Sequence, residues 1–87
     1  MASTLTNVTG SASNVTLLAT NSSRKSASIM NDSVFSLHVK CAATATTTSC
    51  IVKVGAGGYY EIPFGYTGII DGIWTGANGF ARVTEVT

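Results

Sequence analysis

Few side chains in this sequence are equipped for chemistry: one histidine, two cysteines and four acids. His38 lies in the alternating run 34–41. That alternation predicts a strand with Phe35, Leu37, Val39 and Cys41 on one face and Ser36, His38 and Lys40 on the other. A metal site or a general base needs His, Cys or carboxylate groups that converge. His38 and the cysteines are expected on opposite faces, so they do not share a metal, and His38 reads as a solvent or interface histidine. Cys41 and Cys50 both point inward, at the end of one strand and the start of the next, and a hairpin through 42–49 would bring their Cβ atoms close. Two readings follow. A disulfide would contribute at most about 2–3 kcal/mol through so short a loop. Two reduced packing thiols are preferred, because sulfur fills apolar space in a chain read as cytoplasmic. A redox role needs a thiolate beside a positive charge, and Lys40 faces away.

Gly55-Ala-Gly-Gly58 superficially resembles a phosphate loop, but such a loop must open a helix, and here a strand follows. Glu61 and Asp71 are outward strand positions with no visible cleft between them, so they read as solvated acids and not as a hydrolytic pair. Asn7, Asn14, Asn21 and Asn31 fit the glycosylation pattern, which chance supplies in a chain this rich in Asn, Ser and Thr. No catalytic residue, metal ligand or cofactor is expected, and the chain does not read as an enzyme.

The elements that would carry these residues are short and β-like. Runs at 14–20, 25–30, 34–41, 50–54, 59–62, 67–74 and 79–86 are separated by turn residues such as Asn31-Asp32-Ser33. About seven strands at this spacing predict an all-β fold, a small antiparallel sandwich or barrel spanning 14–87. Residues 1–13 hold only Leu5 and Val8 as larger apolar residues and read as a flexible N-terminal arm or one ordered by a neighbouring subunit. The stretch 58–74 holds the only Trp, the only Pro and all three Tyr, and reads as two strands joined at a Pro63-Phe64-Gly65 corner.

Composition narrows the partners. With 87 residues there is one domain, and only 10 % of them are charged, against about 25 % in an average protein. So little charge points to a surface partly covered by partners. The net charge is +1 and the basic residues Arg24, Lys25, Lys40, Lys53 and Arg82 are dispersed, so no nucleic-acid partner is expected. No apolar run is long enough for a membrane helix, no membrane partner is expected, and the opening residues carry neither the n-region nor the h-region of a secretion signal. Phasing the strands by Asp71 and Arg82 puts Ile70, Gly72, Trp74, Ala81, Val83 and Glu85 inward, with Glu85 a blemish. It turns Tyr59, Ile69, Ile73, Phe80 and Ile51 outward. Large apolar residues on a face that should be wet mark an interaction surface, with Ile69, Ile73 and Phe80 on two strands read as neighbours.

Several stretches together resemble one kind of protein. They are the Thr16-Leu-Leu opening with Asn21-Ser-Ser-Arg-Lys25, the Asn31-Asp-Ser33 turn, and the strand that runs to Ala45-Thr46. Tyr59-Tyr-Glu-Ile-Pro63, Ile70-Asp-Gly-Ile-Trp74 and the closing Ala81-Arg-Val-Thr-Glu85 complete the set. Over residues 12–87 the chain resembles small β-sandwich decoration or cement proteins of tailed bacteriophages and cyanophages. It departs from them at Cys41 and Cys50, where larger apolar residues are expected, and at Ile69, where a charged residue is usual. The resemblance implies a homo-oligomer, a trimer by preference, on the outside of the virion. It would be assembled in the host cytoplasm and bridge major capsid protein subunits. The alternative is a head or tail fibre module that binds a host surface glycan, with Tyr59, Tyr66 and Trp74 as candidate platforms.

Overall fold

A computed structural model describes residues Met1–Thr87, which form eight strands and no helix. In chain order these are β1 (Ser3–Thr9), β2 (Val15–Leu18), β3 (Ser26–Asp32), β4 (Leu37–Lys40), β5 (Val52–Val54), β6 (Tyr59–Glu61), β7 (Ile70–Trp74) and β8 (Phe80–Val86). They pair antiparallel throughout, as one sheet in the order β1-β8-β3-β6 and a second in the order β2-β7-β4-β5. The inner faces of the two sheets close on each other as a β-sandwich, which the alternating sequence pattern predicts.

The core is the set of side chains that alternation aims inward. Ala27, Ile29, Ala81 and Val83 come from one sheet, and Leu17, Leu37, Val39, Val54, Ile70 and Trp74 from the other, with Ile62 beside them. Val52, Tyr60 and Cys41 pack against this cluster from its margins. Gly72 sits on the inner face of β7, where a Cβ would meet Leu17 Cδ1 at 2.8 Å and Leu37 Cδ1 at 3.1 Å. Its bare backbone is what lets those two leucines close over the strand.

Two expectations change. Residues 3–9 are not a loose arm: they form β1, paired with β8 along its whole length, which makes eight strands instead of seven. Residue-by-residue polarity hid this strand, because its side chains are almost all exposed and no alternation shows. Phe35 is not inward. It lies in the bend before β4, 38 % exposed, with its ring against Gly76. The stretch 58–74 does hold two strands on either side of the Pro63 corner, and they belong to opposite sheets.

Only β4 and β5 are consecutive in the chain and adjacent in a sheet. Every other connection crosses the sandwich. The crossing from β7 to β8 runs through Gly79, whose φ of +63° is a left-handed conformation that a side chain would strain. A Cβ there would also run into the carbonyl oxygen of Asp32.

Candidate interaction surface

Polar residues buried at the two ends of the sandwich hold the sheets in place. At one end Asn31, fully buried, uses its whole side chain. Its Nδ2 donates to the carbonyls of Phe35 (2.7 Å), Val54 (2.9 Å) and Gly55 (3.2 Å). Its Oδ1 accepts from Trp74 Nε1 (3.0 Å) and Ser33 Oγ (2.9 Å). One amide therefore ties β3 to the core tryptophan and to the chain on both sides of the opposite sheet. At the other end Arg24, 3 % exposed, donates from Nε to Glu85 Oε2 at 2.9 Å. The rest of its guanidinium donates to the carbonyls of Ala19, Tyr66 and Gly68. Glu85 is thus no blemish, because a buried partner neutralises it where it points inward.

Asp71 also corrects its expectation. It keeps the outer phase, yet it is only 3 % exposed. Its Oδ2 accepts from Asn14 Nδ2 (3.1 Å) and from the Thr44 backbone N–H (2.7 Å), and Asn14 Oδ1 accepts from the Ala45 N–H (2.8 Å). The 41–49 loop is folded back onto the outer face of the β2-β7-β4-β5 sheet by these bonds. Lys40 Nζ assists from the strand end, donating to Ser49 Oγ and the Thr44 carbonyl. His38 shares that face beside Ile73 and is buried too, with no hydrogen bond to Nδ1, so it is neither a solvent histidine nor part of a cluster. No three His, Cys, Asp or Glu residues gather anywhere in the chain.

The two cysteines are free and half-buried. Burial raises the Cys41 thiol above its ordinary pKa, with Arg24 pulling weakly the other way. This is the behaviour of a packing thiol and not of an activated one.

The residues read as outward do not form one patch. Tyr59 and Phe80 share the outer face of the β1-β8-β3-β6 sheet, with Met30 and Asp32 of β3 between their strands. Ile73 points the opposite way, from the outer face of the other sheet, where it is half-buried beside His38. Ile69 precedes β7 in a half-buried bend, its carbonyl accepting from Tyr66 Oη at 2.7 Å. Ile51 is exposed at the approach to β5. β7 and β8 are consecutive but not adjacent, so sequence proximity joined residues that the fold separates.

The open face carries more apolar surface than Tyr59 and Phe80 alone. Phe64, at the tip of the Pro63 corner, is 88 % exposed, Tyr59 is 59 % exposed and Leu5 of β1 is 69 % exposed. Tyr59 and Phe64 flank a shallow groove of about 270 Å³, floored by Ser26, Ser28 and Thr84, with Glu61 and Val86 at its sides. Tyr59 Oη donates to Glu61 Oε1 at 3.0 Å, and that bond raises the phenol above its ordinary pKa. Arg82 is fixed over the Phe80 ring, 4.7 Å from its centroid, by a 2.9 Å ion pair with Asp32. The signal for Phe64 was present in the sequence: an aromatic between Pro and Gly at a turn has nowhere inward to go. Compared with family models, curated proteins and solved structures, the chain matches none.

Proposed function

We propose that this is a structural virion protein of the capsid decoration or cement type. It would self-associate and lay the outer face of the β1-β8-β3-β6 sheet on major capsid subunits. The observation that carries the choice of surface is the contrast between that face and its opposite. One presents Leu5, Tyr59, Phe64 and Phe80 to solvent, while the other is closed by its own loop. Several large apolar side chains exposed on one sheet face suit a protein interface, with the Ser26, Ser28 and Thr84 hydroxyls among them as hydrogen-bonding groups. A contact made only with the assembled shell stabilises that shell by mass action, and many copies sum modest contacts.

Mixing the protein with procapsids and expanded capsids, then counting bound copies and the heat release of DNA, tests this reading. Saturable binding that raises the release temperature is expected. A fibre module that binds a host glycan is the second reading, favoured by the two exposed aromatics flanking a groove with Ser26, Ser28 and Glu61. Trp74 is buried in the core and Tyr66 packs against it, so neither serves as a platform. Retention on a glycan array without binding to either shell form would replace the first reading by the second.

A further inference from the structure

Each sheet ends in two edge strands, and three of the four edges are blunted. β6 is three residues long and runs into Pro63. β5 is also three residues long, carries Lys53 and is followed by Gly55. β2 breaks register between Thr16 and Leu18. Short length, lysine, proline and bulges are the devices that keep sheet edges from pairing with other chains. β1 has none of them. It is seven residues long, holds no charge, proline or glycine, and keeps one register with β8 from end to end.

Its side chains also bury almost nothing, with Val8 alone half-buried. Ordering a residue costs about 1–2 kcal/mol of backbone entropy. A strand that spends this on a ladder along one side, with scarcely any apolar burial, is one that a second ladder would complete.

The ladder shows which groups are open. Gly10 N–H donates to the Gly79 carbonyl and Thr87 N–H to the Ala2 carbonyl, both at 2.8 Å and in the same register as β1–β8. Hydrogen-bonded pairs alternate along an antiparallel ladder. Thr4, Thr6 and Val8 therefore turn their backbone groups toward β8, and Ser3, Leu5, Asn7 and Thr9 turn theirs out into the open edge.

We propose that a second copy of this chain pairs along that edge, β1 antiparallel to β1 about a two-fold axis at Thr6. The axis matches Ser3 with Thr9 and Leu5 with Asn7 of the second copy, so every outward-turned group finds a partner, for about eight hydrogen bonds. In this register only Thr6 faces its own copy, and a strand without charged residues pairs with itself without repulsion. The axis also brings the two exposed Leu5 side chains into diagonal contact on the outer face. This contact does not rest on shell binding, and it gives a two-fold where the family resemblance implies a three-fold.

Sedimentation equilibrium of the full chain across a concentration series tests it. The expected species is a dimer of the 8.9 kDa chain. Leu5→Pro removes an outward N–H and spares the ladder to β8, so the dissociation constant is expected to rise at least ~tenfold with the circular dichroism unchanged. Amide exchange of the wild-type protein gives a readout that needs no variant. Protection of Ser3, Leu5, Asn7 and Thr9 should grow with concentration, while Thr4, Thr6 and Val8 stay protected throughout. A monomer at every concentration, a trimer, or a dimer indifferent to Leu5→Pro would each overturn the proposal. So would a monomer whose outward amides become protected only when a shell is added, since the occupant would then be another protein.

Discussion

The two outer faces of this sandwich are built from the same alternation and finished in opposite ways. On the β2-β7-β4-β5 side a buried carboxylate, Asp71, recruits Asn14 and the 41–49 loop and closes the face from within. On the β1-β8-β3-β6 side nothing folds back, and Tyr59, Phe64 and Phe80 stand in solvent. Apolar side chains are therefore not what decides which face is free for a partner. Ile73 is as apolar as any of them and is half-buried on the closed face. The deciding feature is the polar framework that keeps a loop down.

Four changes would break or sharpen that contrast. The largest effect is expected at Arg24, which serves both faces by closing the end they share. Arg24→Ala leaves Glu85 as a half-buried carboxylate without its cation and three carbonyls without a donor. Denaturant unfolding should show a loss of about 3–5 kcal/mol, much of which Glu85→Leu added to Arg24→Met should restore. Asp71→Ala comes next and acts on one face only. It strands two donors, for about 2–3 kcal/mol by denaturant midpoint, and speeds amide exchange at Thr44 and Ala45. Shell binding by molecules that remain folded should not change.

Tyr59→Ser with Phe64→Ser is the reverse case. Both side chains are exposed, so stability should move by no more than about 0.5 kcal/mol while shell binding is lost. Unfolding of this variant would mean that the open face is part of the core.

The smallest effect is that of alkaline pH. Burial raises the pKa of the Cys41 thiol and of the Tyr66 phenol, the latter also through the nearby Cys41. In the unfolded chain these groups lose their protons first. The folded state then holds more protons, and stability falls as pH rises past the ordinary thiol and phenol values of about 8.5 and 10. Below that range their contribution is fully present. Tyr59 is raised as well, by its bond to Glu61, and acts with the same sign but more weakly, because the pair is exposed and screened by solvent. A midpoint flat from neutral to strongly alkaline pH would show that neither Cys41 nor Tyr66 is linked to folding.

The strand phases were legible because alternation needs only local residues: Leu37 with Val39, Tyr60 with Ile62, Ile70 with Trp74, Ala81 with Val83. Pairing order was not, because only the β4–β5 neighbours follow one another in the chain. That is why Ile73 and Phe80, close in sequence and both phased outward, came to be read as one surface. Asn31, Arg24 and Asp71 were assigned to turns or to solvent by their polarity. Their partners lie far along the chain, as Trp74 does from Asn31 and Glu85 from Arg24, and no local window contains both halves of such a bond. β1 was missed for a different reason. It is held by backbone groups, and the type of a residue says nothing of where its backbone hydrogen bonds go.

The position of β8 bears on how the protein is made. This strand, the last in chain order, lies between β1 and β3 and supplies the ladder to both. Until Phe80–Val86 has left the ribosome, β1 has no strand to pair with and the inner faces of Ile29 and Asn31 lack their neighbours Val83 and Ala81. Folding of the sandwich therefore waits for β8 and is limited by the closure of long loops. A nascent chain stopped before Gly79 would expose the Ile70–Trp74 segment without a finished core to receive it, as a substrate for chaperones or proteases.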